Sequence, residues 1–201
     1  MGDVVGIVLG AGSSTRLGRP KQTLPLAGTT VLGWAVREAE ASGLDRVVVV
    51  LGGAGDEAAA ALPGGRAATV YNEDYGSGCA SSLLAGLGAA GGASAIVMLL
   101  GDVPGLEHGT IDAVLAGWKA EPTWAAVTQF QGGLGHPFVF SAEAFGTLRG
   151  LHGDKAVWKI VDAEPEQRVR RIRVERPLPR DIDTWVDYLE VCRQFGVSSK
   201  S

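Results

Sequence analysis

Short apolar segments alternate with longer amphipathic segments over the first half of the chain. Residues 46–51 (RVVVVL) and 95–100 (AIVMLL) are typical of strands that are buried on both faces of a parallel sheet. The predicted strands of this half are residues 4–9, 46–51, 67–71 and 95–100. The helices that the apolar spacing predicts between them are residues 31–41, 56–62 and 77–90. Strands and helices that alternate in this way predict a doubly wound α/β fold with a mostly parallel sheet.

The second half of the chain is less regular in its apolar pattern. The predicted strands are residues 124–130, 137–140 and 168–174. The predicted helices are residues 110–118, 142–149, 154–161 and 184–195. A basic run begins in the last strand and consists of Arg168, Arg170, Arg171, Arg173, Arg176 and Arg180. Such a run could bind a phosphorylated ligand, but it is more typical of the solvated face of an edge strand.

A glycine-rich loop follows the first predicted strand, within residues 6–26 (GIVLGAGSSTRLGRPKQTLPL). Glycines leave backbone N–H groups accessible to an anion because no Cβ stands in the way, and Arg16 and Lys21 add cationic side chains. The spacing fits neither the P-loop, G-x-x-x-x-G-K-[ST], nor the dinucleotide fingerprint, G-x-G-x-x-G. The loop is therefore predicted to bind a polyphosphate, and an ordinary glycine-rich surface loop is the alternative.

Composition and charge exclude several classes of protein. The chain has 201 residues, of which 46% are hydrophobic and 20% charged, and its formal net charge is −4, which argues for a globular protein and against a general nucleic-acid binder. No apolar run approaches the ~20 residues that cross a membrane, and no secretory pattern is visible, so we expect a cytoplasmic protein. Cys79 and Cys192 stand far apart without clustered histidines, which argues against structural zinc.

The glycine-rich loop also carries a resemblance to a known family. Its pattern, L-[AG]-[AG]-G-x-S-x-R-x-G-x-x-K, is matched by Leu9, Gly10, Ala11, Gly12, Ser14, Arg16, Gly18 and Lys21. The chain thereby resembles the nucleotidylyltransferases that are similar to the molybdenum cofactor cytidylyl- and guanylyltransferases. The resemblance implies a nucleotide-diphospho-sugar transferase-like, Rossmann-like fold and a nucleoside triphosphate donor. Ala11 stands where the cytidylyltransferases carry Ala and the guanylyltransferases carry Gly, which favours CTP over GTP.

Two acidic segments are candidates for holding a metal ion. Asp102 directly follows the fourth predicted strand, in a Gly-Asp-Val-Pro sequence, so it faces the same crevice as the glycine-rich loop; an Asp in a turn is the structural alternative. In the segment 181–184 (DIDT), Asp183 or Thr184 could instead cap the last helix, with Asp187 in its first turn. The family signatures Gly-Asp-x-Pro and D-I-D-T-x-x-D imply Asp102 and Asp183 as the ligands of Mg²⁺.

Further candidates come from the middle of the chain. Asn72 ends the third predicted strand and Gly78 and Ser82 open the next helix, where small residues would equally serve helix packing. The resemblance implies that the nucleotide-binding residues are Leu9, Gly10, Ala11, Gly12, Ser13, Ser14, Arg16, Lys21, Asn72, Gly78 and Ser82. It also implies that the acceptor-binding residues are His136, Pro137 and Asp154. A His beside Gly and Pro is otherwise an ordinary turn residue.

These residues and the resemblance together predict an enzyme. The predicted reaction is Mg²⁺-dependent transfer of a nucleoside monophosphate from a nucleoside triphosphate to a phosphorylated acceptor of the molybdopterin type, with release of pyrophosphate. The predicted catalytic residues are Arg16, Lys21 and Asp102. We expect one domain over residues 1–201, in which residues 1–105 form the nucleotide-binding half and residues 106–201 the acceptor-binding half. The alternatives are a guanylyl- or sugar-phosphate-type transferase, a transferase that acts on phospholactate, or a nucleotide-binding chaperone that delivers molybdenum cofactor to a molybdenum hydroxylase.

Overall fold

The computed structural model describes residues 2–12, 14, 17–153 and 156–197. Its strands are β1 (Val4–Leu9), β2 (Pro25–Leu26), β3 (Thr29–Thr30), β4 (Arg46–Leu51), β5 (Ala68–Tyr71), β6 (Ala95–Leu100), β7 (Ala125–Phe130), β8 (Gly133–Ser141) and β9 (Val169–Arg173). Its α-helices are α1 (Val31–Ala41), α2 (Gly55–Ala60), α3 (Cys79–Ala89), α4 (His108–Ala120), α5 (Phe145–Arg149), α6 (Ala156–Ala163) and α7 (Trp185–Gln194). Short 3₁₀ turns lie at Lys21–Thr23, Tyr75–Ser77 and Ala142–Ala144.

Within the described residues, the centre of the molecule is a seven-stranded sheet in the order β5-β4-β1-β6-β8-β7-β9. Parallel pairs join β1 to β4 and β6, β4 to β5, and β7 to β9, whereas β8 is antiparallel to both of its neighbours. All six residues of β1 are buried, as expected for a strand with a parallel neighbour on each side. The predicted doubly wound, mostly parallel α/β fold is confirmed.

The helices cover the sheet with the apolar stripes that the sequence predicts. In α1 the Thr30 hydroxyl caps the first turn by accepting a hydrogen bond from the Gly33 N–H (3.0 Å). On the opposite face of the sheet, Leu83 and Leu87 of α3 belong to the same buried cluster as Ile7 of β1, so this helix lies against the central strand. No helix in the described part of the chain combines the length and apolar character that crossing a bilayer requires.

Strand β8 differs from the prediction of a short strand at residues 137–140. It runs over nine residues, and its register with β7 shifts, because Val127 pairs with Phe138 whereas Thr128 pairs with Gly135. His136 and Pro137 therefore form a bulge, where a proline is tolerated because its missing N–H breaks no ladder bond. The buried Thr128 hydroxyl donates to the Pro137 carbonyl (2.8 Å) and satisfies it inside the bulge.

A small third cluster ties the C-terminal part of the chain to the segment that follows the glycine-rich loop. The strands β2 and β3 form a separate two-stranded hairpin that the sequence pattern did not predict. Leu24 and Leu26 of this region pack in one buried cluster with Ile182 and with Tyr188 of α7. The Tyr188 hydroxyl also donates to the Pro25 carbonyl (2.7 Å). As a result, the residues around position 182 lie beside the N-terminal loop.

The basic run lies at and beyond the edge strand β9, as the edge-strand interpretation predicts. Each of its six arginines is paired with a carboxylate, in the pairs Arg168–Glu164, Arg170–Glu121, Arg171–Glu166, Arg173–Glu175, Arg176–Glu107 and Arg180–Asp187. These side chains neutralise one another on the surface, so we assign them no ligand.

Candidate functional site

A cavity of about 470 Å³ lies where β1 and β6 end. Its walls include Leu9 and Leu100, the last residues of these strands, together with residues from the second half of the chain such as His136 and Trp158. The volume falls within the roughly 300–1,000 Å³ of typical small-molecule pockets. In open α/β sheets ligands bind at the carboxyl ends of the strands, so this cavity is the candidate active site.

The backbones of the two strand ends approach each other closely at the base of the cavity. A Cβ atom added to Gly101 would lie 2.9 Å from the Leu9 carbonyl oxygen and 3.3 Å from the Gly10 Cα, so only glycine fits there. The Gly101 N–H donates to the same Leu9 carbonyl (2.9 Å), and the Gly10 N–H donates to Val50 (2.8 Å). These bonds fix the start of the glycine-rich loop, and Gly10, Ala11 and Gly12 line the cavity.

Two polar side chains brace the glycine-rich loop from inside. The Ser14 hydroxyl accepts a hydrogen bond from the Lys21 N–H (2.9 Å) and donates to the Gln22 side-chain oxygen (3.3 Å). The Gln22 amide in turn donates to the Gly12 carbonyl (2.6 Å). Gln22 is buried and lines the cavity, although the sequence reasoning did not select it. Of the predicted loop residues, Ser13 and Arg16 lie outside the described residues.

Lys21 joins the two carboxylates that the sequence predicts as metal ligands. Its Nζ atom donates to Asp102 Oδ2, to the Ile182 carbonyl (2.9 Å) and to Asp183 Oδ1 (3.3 Å). The Lys21 side chain is 12% exposed, whereas the side chain of Asp102 is 24% exposed and that of Asp183 is 36% exposed. The three charged groups line the same cavity as the glycine-rich loop.

The charge of the Lys21 ammonium is stabilised at this position. Burial by itself lowers the pKa of Lys21, but the negative charges of Asp102 and Asp183 and their hydrogen bonds outweigh it, so this pKa is raised above its ordinary value. The group is therefore a permanent cation near neutral pH, and it offsets part of the negative charge of the two carboxylates.

Ile182 places the second acidic segment in the cavity. Its N–H donates to the Asp102 carbonyl (3.0 Å), its carbonyl accepts from Lys21 (2.9 Å), and its side chain is fully buried. Asp181 and Asp183, on either side of it, both line the cavity.

Thr184, and not Asp183, caps the last helix. The Thr184 hydroxyl accepts from the Asp187 N–H (3.3 Å), and an Asp187 side-chain oxygen accepts from the Thr184 N–H (2.9 Å), which completes a capping box. The hydrogen bonds with Thr184, followed by that with Arg180, hold the pKa of the Asp187 carboxyl below its usual range. Because residues 184 and 187 supply the cap, Asp183 is left to face the cavity.

Asn72 holds the entrance of α3 in place. Its amide group donates to the hydroxyls of Ser81 (2.9 Å) and Ser82 (3.0 Å), and its oxygen accepts from the Asp74 N–H (3.0 Å). Ser82 and Gly78, the residue before α3, line the cavity, whereas Asn72 is not part of the lining. A nucleotide contact for Asn72 stays a prediction, and the geometry gives this residue a structural role.

His136 lies in the wall of the cavity as an aromatic, neutral side chain. Its ring stacks on Phe138 (4.3 Å between centroids), and the edge of Trp158 from α6 approaches both rings. Burial lowers the pKa of His136 to about 4, and a backbone hydrogen bond with Met98 offsets only part of this effect. The Nδ1 atom is buried and has no hydrogen-bond partner among the described residues. Pro137, the other residue of the bulge, is not part of the cavity lining, and Asp154 lies outside the described residues.

Several residues of the lining were not selected by sequence reasoning. They include Gln22, Tyr75, Met98, Gly101 and Trp158. Tyr75 is 38% exposed, and in the sequence it lies three residues before Gly78. An aromatic residue so close to this glycine could have identified it as a candidate site residue. Trp158 gave no such signal, because a tryptophan in an amphipathic helix is usually a core residue.

Comparisons with known proteins identify the family. Residues 6–169 match the family model for the MobA-like NTP transferase domain. The chain is 41% identical to the Rv0371c homologue of Mycobacterium sp. strain JC1, with 96% of each chain covered and a TM-score of 0.88. It is 38% identical to Rv0371C of Mycobacterium tuberculosis H37Rv, solved as a complex with manganese, with 95% of this chain and 98% of that chain covered and a TM-score of 0.83.

A longer curated relative matches as well. The chain is 34% identical over 179 residues to the bifunctional protein GlmU of Geobacter metallireducens (strain ATCC 53774 / DSM 7210 / GS-15), and the match covers 85% of this chain but only 36% of that relative. The family match includes the glycine-rich loop, Lys21, Asp102 and His136, which all meet at the cavity. The chain therefore belongs to the family of MobA-like NTP transferase domains and is a nucleotidyltransferase.

Proposed function

We propose that this protein transfers a nucleoside monophosphate from a nucleoside triphosphate, preferably CTP, to a phosphorylated acceptor of the molybdopterin type. The observation that carries the proposal is the contact of Lys21 with both Asp102 and Asp183 in the cavity of the glycine-rich loop. A cation and two carboxylates beside a backbone cradle provide what phosphoryl chemistry needs: positioning and charge stabilisation.

In this proposal the donor lies along the wall of the cavity that the glycine-rich loop and the start of α3 form. Backbone N–H groups of Ala11 and Gly12, together with Lys21 and Arg16, bind the triphosphate. The base lies toward Gly78 and Ser82, where small residues allow close approach, and Tyr75 offers an aromatic edge. Ala11 lines this wall, and the family resemblance at this position supports the preference for CTP over GTP.

Asp102 and Asp183 are the residues that would hold the metal ion. No cluster of three His, Cys, Asp or Glu side chains suited to a metal occurs in the described part of the chain. Two carboxylates nonetheless fit Mg²⁺, which usually takes one or two of them and completes its shell with water and substrate phosphates. The relative solved with manganese supports a divalent ion. When bound, such an ion neutralises charge on the phosphates and on the pyrophosphate leaving group.

The acceptor lies along the second wall, formed by His136, Met98 and Trp158. Aromatic and apolar side chains there suit a flat heterocyclic group such as a pterin, and we propose Pro137 and Asp154 as further acceptor-binding residues. A molybdenum hydroxylase is the partner that we expect to receive the product.

The chain's own groups then act on the donor as follows. An oxygen of the acceptor phosphate attacks the α-phosphorus in line with the bond to the β-phosphate, and that bond breaks to release pyrophosphate. The Lys21 ammonium stabilises the negative charge that develops on the phosphate oxygens, and Arg16 binds the leaving group. No protein nucleophile takes part, because positioning and electrostatics supply the catalysis.

The test is pyrophosphate release with Mg²⁺, each of CTP, GTP, ATP and UTP, and molybdenum cofactor as the acceptor. We expect acceptor-dependent release with CTP, lowered by about 10²–10³-fold in Asp102→Ala, as for the loss of one electrostatic stabiliser. The control is Asp162→Ala, which removes an exposed carboxylate of α6 and should leave the rate unchanged.

The other outcomes discriminate among the alternatives. Release with GTP alone would contradict the role of Ala11 but keep the reaction class. Release with a sugar phosphate or phospholactate in place of molybdenum cofactor would reassign the acceptor. Nucleotide binding without release, together with unimpaired hydroxylase maturation by Asp102→Ala, would favour the chaperone.

A further inference from the structure

We propose that the Lys21 ammonium occupies the position of the divalent cation between Asp102 and Asp183, and that the incoming metal–nucleotide complex must displace it before the reaction starts. The inference rests on the proposed function, since it takes the two carboxylates as metal ligands and the glycine-rich loop as the phosphate site. What it adds is that Lys21 competes with the metal in the absence of nucleotide.

The hydrogen bonds of Lys21 provide the first argument. An ammonium group has three N–H donors and no acceptor. In this protein the Nζ atom is bonded to Asp102 Oδ2, to the Ile182 carbonyl (2.9 Å) and to Asp183 Oδ1 (3.3 Å). The protein itself therefore uses every donor of Lys21. A phosphate oxygen can bind this group only after at least one of these contacts has broken.

The second argument is the chemistry of the position. A divalent cation such as Mg²⁺ binds carboxylate oxygens, and the ammonium already contacts one oxygen of each of the two carboxylates that would hold the cation. Two positive centres that share these oxygens repel each other, and the repulsion is weakly screened because the Lys21 side chain is only 12% exposed. The ammonium and the metal therefore exclude one another.

The third argument is that the backbone of Lys21 is anchored, whereas its side chain can change conformation. Its backbone N–H donates to the Ser14 hydroxyl (2.9 Å), which anchors the residue to the glycine-rich loop. The side chain is a flexible four-carbon stem. When the metal takes Asp102 and Asp183, the ammonium swings about this anchor to the phosphates of the same complex. Metal and nucleotide should consequently each increase the affinity for the other.

The experiment measures Mn²⁺ binding without nucleotide, by calorimetry and by the loss of the free Mn²⁺ signal in electron paramagnetic resonance. Lys21→Met removes the charge and keeps most of the side-chain volume, and we expect it to bind Mn²⁺ at least tenfold more tightly than the wild type. Lys21→Arg keeps the charge and should bind Mn²⁺ as weakly as the wild type. Lys119→Met, in the last turn of α4, is the matched control and should also behave like the wild type.

Adding CTP separates this inference from the proposed function. In the wild type CTP should tighten Mn²⁺ binding, and in Lys21→Met this gain should be much smaller, because there is no ammonium left to displace. If the wild type with CTP takes up no Mn²⁺, the proposed metal site and this inference both fail. If it does, but Lys21→Met binds Mn²⁺ alone no more tightly than the wild type, only this inference is overturned.

A second measurement avoids the variants, in case Lys21→Met does not fold. Acetic anhydride modifies amines, and mass spectrometry reads the modification rate at Lys21 in the wild type. The ammonium held between the carboxylates should react slowly, and saturating Mn²⁺ should increase its rate at least severalfold while the rate at the exposed Lys159 stays constant. An unchanged rate at Lys21 under saturation by Mn²⁺ would overturn the displacement.

Discussion

Two side chains in the wall of the cavity experience the same effect of burial but end in opposite charge states. Burial opposes the charged form of both Lys21 and His136. Lys21 has two carboxylates as partners and keeps its proton, whereas His136 is surrounded by the rings of Phe138 and Trp158 and loses it. The site therefore holds a positive charge on the side of the loop and a neutral aromatic group on the other side.

The neutral state of His136 predicts how stability depends on pH. The pKa of His136 is about 4 in the folded protein, against an ordinary value of 6.5. Between these values the unfolded chain binds a proton that the folded protein does not, so the free energy of unfolding decreases as the pH falls from 6.5 to 4. The loss amounts to at most about 3 kcal/mol.

Urea unfolding at pH 7 and pH 4.5 checks this prediction. Other groups also titrate in this range, so the quantity to compare is the loss of stability in the wild type and in His136→Leu. We expect a smaller loss in His136→Leu, and the same loss as the wild type in His152→Gln, which changes an exposed histidine. An equal loss in His136→Leu and in the wild type would show that His136 is not held neutral.

The sequence predicted which charged residues meet at the site better than it predicted the side chains that surround them. The spacing within residues 6–26 and the position of Asp102 after a strand pointed to one crevice, and Lys21 and Asp102 do meet there. The aromatic environment of His136 was not predictable, because Trp158 comes from a separate helix and its contact with the ring depends on tertiary packing. Asp183 could be predicted as a site residue only from the family resemblance, because the residues of this segment fit a helix cap equally well.

At the scale of elements, the entrance of α3 is joined to the end of β5 by one side chain. Asn72 directly follows β5 and bonds to two hydroxyls in the first turn of α3 as well as to the Asp74 N–H. Gly78, just before this helix, has a φ of 110° that favours glycine, so the chain turns sharply there. The position of the helix entrance relative to the cavity thus depends on Asn72.

We expect Asn72→Ala to lower the free energy of unfolding by about 2 kcal/mol, because it removes these hydrogen bonds and leaves the buried Ser82 hydroxyl without its partner. Urea unfolding measures the change. Ser77→Ala is the control, since it removes one exposed hydroxyl bond to the Asp74 carbonyl and should cost less than about 0.5 kcal/mol. Equal losses in the two variants would contradict the structural role of Asn72.

The bounds of strands could be predicted from the sequence where burial alone determines the residue pattern. Apolar runs that are buried on both faces predicted β1, β4 and β6 with their observed bounds. The prediction was too short for β8, because a bulge at His136 and Pro137 interrupts the pairing pattern without ending the strand. The two-residue strands β2 and β3 have no periodicity to detect, and they form because the surrounding chain folds back on itself.

At the scale of the whole molecule, the edge of the sheet at β9 is protected by charge. Arg171 and Arg173 point outward from this strand, and their side chains are 57% and 77% exposed. The charges hinder another strand from pairing with the open edge. Their ion pairs add little to stability, because exposed pairs contribute less than about 1 kcal/mol.

The double variant Arg171→Val/Arg173→Val should therefore self-associate, with a midpoint of urea unfolding close to that of the wild type. Size-exclusion chromatography with light scattering over a concentration series measures the association. The charge-preserving variant Arg171→Lys/Arg173→Lys should stay at the wild-type mass. A monomeric valine variant at high concentration would show that the arginines do not protect this edge.

The hydrogen bond between Lys21 and the Ile182 carbonyl spans 161 residues of sequence, and it has a consequence for synthesis on the ribosome. The parallel strands from β1 to β6 are complete once residue 100 has emerged, and N-terminal parts of a chain generally begin to fold first. Once residue 102 has emerged as well, Lys21 can reach Asp102, but neither the carbonyl of Ile182 nor the carboxylate of Asp183 exists yet. A nascent chain that lacks residues 182 and 183 thus carries the glycine-rich loop and Lys21 without the complete acidic pair, and we expect the proposed metal site to form only late in synthesis.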